Sequence, residues 1–246
     1  MKYALKPAGL AVALVTAFAA PALAQDTGLH GDLTLGYDLD TGVIPPFGTV
    51  YLRTPYLNGR LSGDIGPVNL QFDLGKSRTT SSLILFGPSD DFFVALHGSY
   101  TVSDTWRAGV FLRREGAESG GFTGISKFGF EGMYQAERFL AQGALWRKLV
   151  DGAPSASATV LRIDAAYQVT PELEVAGVFS KNLGQVAFLV GGSVKYGLPQ
   201  APFSVELSAD RYFAPGAPPS TTVGLGLSWE FGGSGRTPMW GKRSLF

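Results

Sequence analysis

The chain has 246 residues, no cysteine, and equal numbers of basic and acidic side chains, 20 of each. Without cysteine there is no disulfide framework, thiolate metal site or cysteine nucleophile, and the even charge excludes a nucleic-acid binder that works by electrostatics. Hydrophobic residues at 45% with aromatics at 12% exclude disorder, while charged residues at 16% fall below the roughly 25% of soluble domains.

The chain opens with a short basic segment, residues 1–6, followed by an apolar stretch from Gly9 to Ala20. Pro21, Ala22, Leu23 and Ala24 then supply a small-x-small cleavage site before Gln25. This order predicts a secretory signal over 1–24 that is removed on export. No later segment approaches the ~20 apolar residues of a spanning helix, so a membrane-embedded form has to be a closed β-barrel.

From residue 31 onward the dominant signal is period-two alternation. Leu33, Leu35, Tyr37 and Leu39 alternate with Asp32, Thr34, Gly36 and Asp38. Val68, Leu70, Phe72 and Leu74 alternate with Asn69, Gln71 and Asp73. The same holds over 160–169, 203–212 and 221–231, which predicts half-apolar strands. Short reversals fall near 66–67, 102–105, 136–137, 170–171 and 197–201. Longer Gly/Ser/Pro-rich connections fall at 41–48, 76–91, 116–124, 151–157, 182–185 and 214–220. Turn and loop alternate strictly, so an opening strand, five hairpins and a closing strand are expected. The strands are placed near 31–40, 49–64, 68–75, 92–102, 105–114, 126–135, 138–148, 158–169, 172–181, 186–197, 202–213 and 221–231. The expected fold is all-β, a transmembrane antiparallel up-and-down barrel over 25–231, with 12 strands favoured over 10 or 14. Short turns then lie on the periplasmic side and longer loops outside. Residues 232–246 form a periplasmic extension beyond the last strand, either mobile or folded back toward the lumen.

Tyr100, Tyr134, Tyr167 and Tyr196 each stand just before a tight turn, and Trp106, Phe139, Leu173 and Phe203 open the strands that follow. One hairpin plus one loop is therefore the repeating unit. Tyr100, Trp106, Tyr134, Phe139, Tyr167, Tyr196 and Phe203 are the expected aromatic girdle at one membrane–water boundary. The competing reading is aromatic cross-strand pairing in a soluble barrel.

Taken together, the leader, the alternating strands, the Tyr-bearing turns and the last strand resemble bacterial outer-membrane β-barrels of the porin type. Trp229 and Phe231 in the last strand resemble the terminal signal read by the barrel assembly machinery. Such barrels usually end at that aromatic, whereas this chain continues for 15 residues to Phe246. The resemblance implies a channel for passive diffusion of small hydrophilic solutes or ions, in contact with outer-membrane lipid. It leaves the oligomeric state open.

The polar strand faces should line the interior. Arg107, Arg113, Arg138 and Arg162 are expected as a basic wall favouring anions, with Asp164, Glu206 and Asp210 as an acidic wall opposite. Mutually neutralised charges in a lumen knit shut by ion pairs are the alternative. The loop 76–91, with the apolar core Leu83, Ile84, Leu85 and Phe86, is the expected constriction. A closed barrel serving structure or surface interaction is the second functional reading. A third is a lipid hydrolase: His97 and Ser99 have the His-x-Ser spacing of outer-membrane phospholipases and lipid A deacylases. Those families orient the His with an Asn or Glu about twelve residues on, place the pair near the outer leaflet and turn it to lipid; here position 111 is Phe, and His97 and Ser99 share the lumen face near a tight turn. The expectation is no enzyme, no cofactor and no metal site, since the only other histidine is His30.

Overall fold

The computed structural model describes residues 29–44, 46–83, 87–117, 124–152 and 157–232. The leader, Ile84, Leu85, Phe86 and the tail beyond Gly232 lie outside the described residues. The fold is a closed antiparallel barrel of 12 strands, each hydrogen-bonded to its sequence neighbours, with β1 and β12 sealing it. The first six strands are β1 Leu29–Ile44, β2 Gly48–Ile65, β3 Val68–Ser81, β4 Ser89–Thr101, β5 Trp106–Ala117 and β6 Ile125–Ala136. The second six are β7 Phe139–Val150, β8 Ala158–Gln168, β9 Leu173–Leu183, β10 Phe188–Gly197, β11 Phe203–Ala214 and β12 Ala217–Phe231. The closing register runs from Gly31 opposite Phe231 to Thr41 opposite Thr221.

Burial is inverted relative to a soluble protein. The most deeply buried side chains are Gln71, Asn69 and Ser62, all polar. Large apolar residues on the outer face are exposed, Phe130 by 71%, Leu35 by 60% and Leu112 by 58%. Period-two alternation causes this directly, because successive side chains leave a strand on opposite faces. Asp32, Thr34 and Asp38 of β1 therefore point inward while Leu33, Leu35 and Tyr37 point outward. A continuous apolar exterior around a polar interior is stable in lipid and not in water.

The twelve strands fall where expected, but several loop-end boundaries differ. β3 continues through Lys76 to Ser81, and β4 begins at Ser89, so the connection 76–91 shrinks to a few residues. The connection 214–220 becomes the turn at Pro215 and Gly216, whose φ of 73° suits glycine. β1 likewise runs on to Ile44 and β2 starts at Gly48. These extensions lie at the strand ends away from the tight turns. Their outward residues, such as Lys76, Arg78 and Thr221, are polar, so the apolar alternation ends before the hydrogen-bonded ladder does. Pro218 and Pro219, which cannot donate to a ladder, sit beyond the last pairing of β12 with β1.

The aromatic residues Tyr100, Trp106, Tyr134, Phe139, Tyr167, Tyr196 and Phe203 project outward near the tight-turn end. Trp106 packs on its register partner Tyr134 at 4.9 Å between centroids, and Tyr134 reaches Phe139 at 6.3 Å. Phe203 lies opposite Trp229, which packs on Phe231 at 5.5 Å. A second aromatic row, Phe179, Phe188 and Phe213, stacks across β9, β10 and β11 toward the loop end.

Candidate functional site

The lumen divides into a filled half and an open half, and side-chain volume decides which is which. On β4 to β8 the inward positions carry large groups: His97, Phe111, Arg113, Glu131, Met133, Trp146 and Arg162. Phe111, Trp146 and Val160 form an apolar cluster inside the barrel, with Phe111 and Trp146 edge to face at 6.1 Å. His97 stacks on Phe111 at 5.5 Å and donates from Nδ1 to Glu131 Oε2 at 3.0 Å. Its Nε2 faces Asp73 Oδ2 at 3.2 Å, and Gln71 donates to the other oxygen of Asp73 at 2.8 Å. Glu115 is paired with Arg113 at 2.6 Å and with Lys127 at 2.7 Å. The Arg113 guanidinium also lies 3.7 Å from the centre of the Phe93 ring, a cation–π contact.

On the closing side the inward positions are small. β12 presents Thr222, Gly224, Gly226 and Ser228, and β1 presents Thr34 and Gly36. Gly36 lets the Tyr56 ring lie against β1: a Cβ there would lie 2.2 Å from Cζ of Tyr56. Among the described residues, two chambers lie inside the barrel, lined by strands of both halves. The loop-side chamber has a volume of about 120 Å³ and is lined by Asp38, Tyr56, Asp210 and Thr222 among others. The turn-side chamber, about 40 Å³, is lined by Gln142, Glu174, Lys195 and Glu230 among others. Asp32, Arg60, Glu206 and Ser228 belong to both, which makes their level the junction. There Arg60 grips Asp32 with two hydrogen bonds, of 3.1 and 2.5 Å. Two-pronged arginine–carboxylate pairs hold their geometry tightly.

The residues singled out from sequence are placed as follows. Arg107, Arg113 and Arg162 point into the barrel from β5 and β8, and Glu206 and Asp210 from β11. Arg138 does not line the lumen: it sits in the tight turn between β6 and β7, where it donates to the carbonyl of Val169. The strand that was expected to start at 138 starts at Phe139, so the turn takes its charged residue out of the wall. Asp164 does not face the arginines from an opposite wall. It stands two residues from Arg162 on the same face of β8 and is ion-paired to it at 2.8 Å. Leu83 lines neither chamber, and the other constriction candidates, Ile84, Leu85 and Phe86, lie outside the described residues. The apolar lumen residues Phe111 and Trp146 were missed. Their signal was parity, since Phe111 shares a strand face with Arg113 and Trp146 with Gln142 and Lys148. Tyr56 was missed for the same reason, on one face with Asn58 and Arg60.

His97 and Ser99 are both buried in the lumen. Ser99 Oγ has no hydrogen-bond partner among the described residues. Both ring nitrogens of His97 are engaged by carboxylates, so the ring offers no base to the hydroxyl. Among the described residues no group of three or more His, Asp or Glu is arranged to hold a metal ion.

No family model matches the sequence, and no curated protein matches it. Solved structures do match in fold. An outer membrane channel from Pseudomonas putida F1 superposes with a TM-score of 0.62 at 12% identity, covering 83% of this chain and 96% of that one. The KdgM porin gives 0.56 at 8% identity, over 80% of this chain and 99% of that one. The P. putida toluene transporter TodX gives 0.51 at 9% identity, over 83% and 90%. Strand count, closure, inverted burial and these likenesses agree: the chain has the fold of outer-membrane β-barrels such as the KdgM porin.

Proposed function

We propose that this barrel is a passive outer-membrane channel for small hydrophilic solutes or ions. The observation that carries this reading is the pair of chambers inside the barrel, rich in polar side chains and both bordered by Asp32, Arg60, Glu206 and Ser228. Solutes enter the loop-side chamber, pass the Asp32–Arg60 level and leave through the turn-side chamber. Rate is set at the junction and selectivity by the charges that line the chambers. The fold likenesses to a channel and a porin support the same reading. In this reading the leader exports the chain, the assembly machinery reads Trp229 and Phe231, and outer-membrane lipid covers the apolar face.

Single-channel recording in planar bilayers tests it. Stepwise currents that grow with salt are expected. Gly226→Trp should lower the unit conductance, because its side chain would enter the open half, where the nearest atom to a Cβ is 3.5 Å away. A correctly folded barrel that never conducts would overturn the proposal. The second reading, a closed barrel acting through its surface, is favoured by one observation: the chambers meet at a bidentate ion pair.

A further inference from the structure

Most of the charges lining the loop-side chamber come with a partner of opposite sign. Arg60 holds Asp32, Arg162 holds Asp164, and Arg113 holds Glu115. Asp38 on β1 differs. It is 5% exposed, its carboxylate lines the chamber, and among the described residues no hydrogen bond or ion pair reaches it. Two like charges act on it: Asp40 on the same strand face and Asp210 on β11. Thr222 donates its hydroxyl to Asp40, not to Asp38.

The backbone makes room for this carboxylate. Gly224 on β12 is the register partner of Asp38, and a Cβ there would stand 2.5 Å from Asp38 Oδ1. Tyr56 of β2 lines the same chamber, with its ring over Gly36 of β1. A carboxylate shielded from bulk water, next to like charge and without a protein cation, is stabilised by a cation from solution. No cluster among the described residues suits a metal ion stripped of its water. The cation therefore keeps part of its hydration, or is an ammonium group.

We propose that Asp38, with Asp40 and Asp210 beside it and Tyr56 near it, is a binding station for a small monovalent cation, inorganic or the ammonium group of an organic solute. The station makes the channel cation-selective, and that part rests on the channel reading above.

The test uses the full chain, refolded in zwitterionic micelles and inserted into planar bilayers. Reversal potentials are read across a KCl gradient for the native protein, Asp38→Asn and Asp38→Glu. Calorimetric titration with putrescine, a diammonium probe, is run on the same three proteins in micelles. Heat-modifiable gel mobility checks folding, and Asp40→Asn replaces Asp38→Asn if that variant does not fold. The expected result is a cation-biased current whose permeability ratio falls several-fold in Asp38→Asn, is kept in Asp38→Glu, and runs parallel to putrescine binding. A current whose ratio is unchanged by Asp38→Asn, or which favours anions, overturns the station and leaves the channel. Asp38-dependent putrescine binding without any current keeps the station and overturns the channel. Neither binding nor current overturns both.

Discussion

His97 sits between two carboxylates supplied by different strands, Asp73 of β3 and Glu131 of β6, with all three side chains buried. A cation shared by two buried anions is costly to remove, because the anions then face each other without compensation. His97→Ala is therefore expected to lower unfolding stability by about 3–5 kcal/mol, read from urea titrations of the folded barrel in micelles. An unchanged midpoint would mean that water replaces the imidazole at no cost. Strand parity in the sequence is enough to turn Asp73, His97 and Glu131 inward. It does not say that they meet, because convergence depends on how neighbouring strands are staggered around the barrel. Arg162 and Asp164 illustrate the converse. Charge sign alone assigns them to opposite walls, whereas two residues apart on one strand they share a face and form a local ion pair.

Strands were legible as elements because apolar residues recur every second position wherever lipid covers the barrel. Where the outward residues turn polar, as in β3 from Lys76 to Ser81, the signal vanishes while the ladder continues. The inward faces gave a different difficulty. A face that carries Arg113 and Glu115 also carries Phe111, and the face with Gln142 and Lys148 carries Trp146. These rings make the filled half of the lumen, and their meeting across β5, β7 and β8 could not be read from any one strand. Trp146→Ala tests their role. Removing a buried Trp is expected to cost about 3–5 kcal/mol, seen as a lower urea midpoint. It should also raise unit conductance, since it widens the lumen on the side opposite β12 and β1. Conductance equal to that of the native protein would show that ions never reach this side.

At the scale of the whole molecule, the 12-strand count was legible in the alternation of tight turns with longer loops, which also sets both ends of the barrel on the turn side. What the count alone cannot decide is the solvent outside. An up-and-down barrel could place its apolar faces inward in water or outward in lipid, and the pattern of alternation is the same. The structure resolves this through burial: Gln71, Asn69 and Ser62 are innermost, and leucines, valines and aromatics make the exterior. Phe130 is the sharpest probe of that exterior. It is 71% exposed at mid-strand on β6, with Val110 and Leu145 as outward-facing register partners. In water, replacing so exposed a phenylalanine with arginine should change stability by less than about 0.5 kcal/mol. At the bilayer midplane the same change should cost about 2–4 kcal/mol, because the guanidinium must be carried into hydrocarbon. Phe130→Arg folded into lipid vesicles and titrated with urea is expected to show the larger loss. In micelles, which deform around a charge, the loss should shrink. A Phe130→Arg barrel that is as stable in vesicles as the native protein would contradict a lipid-covered outer face, and with it the channel that the two chambers describe.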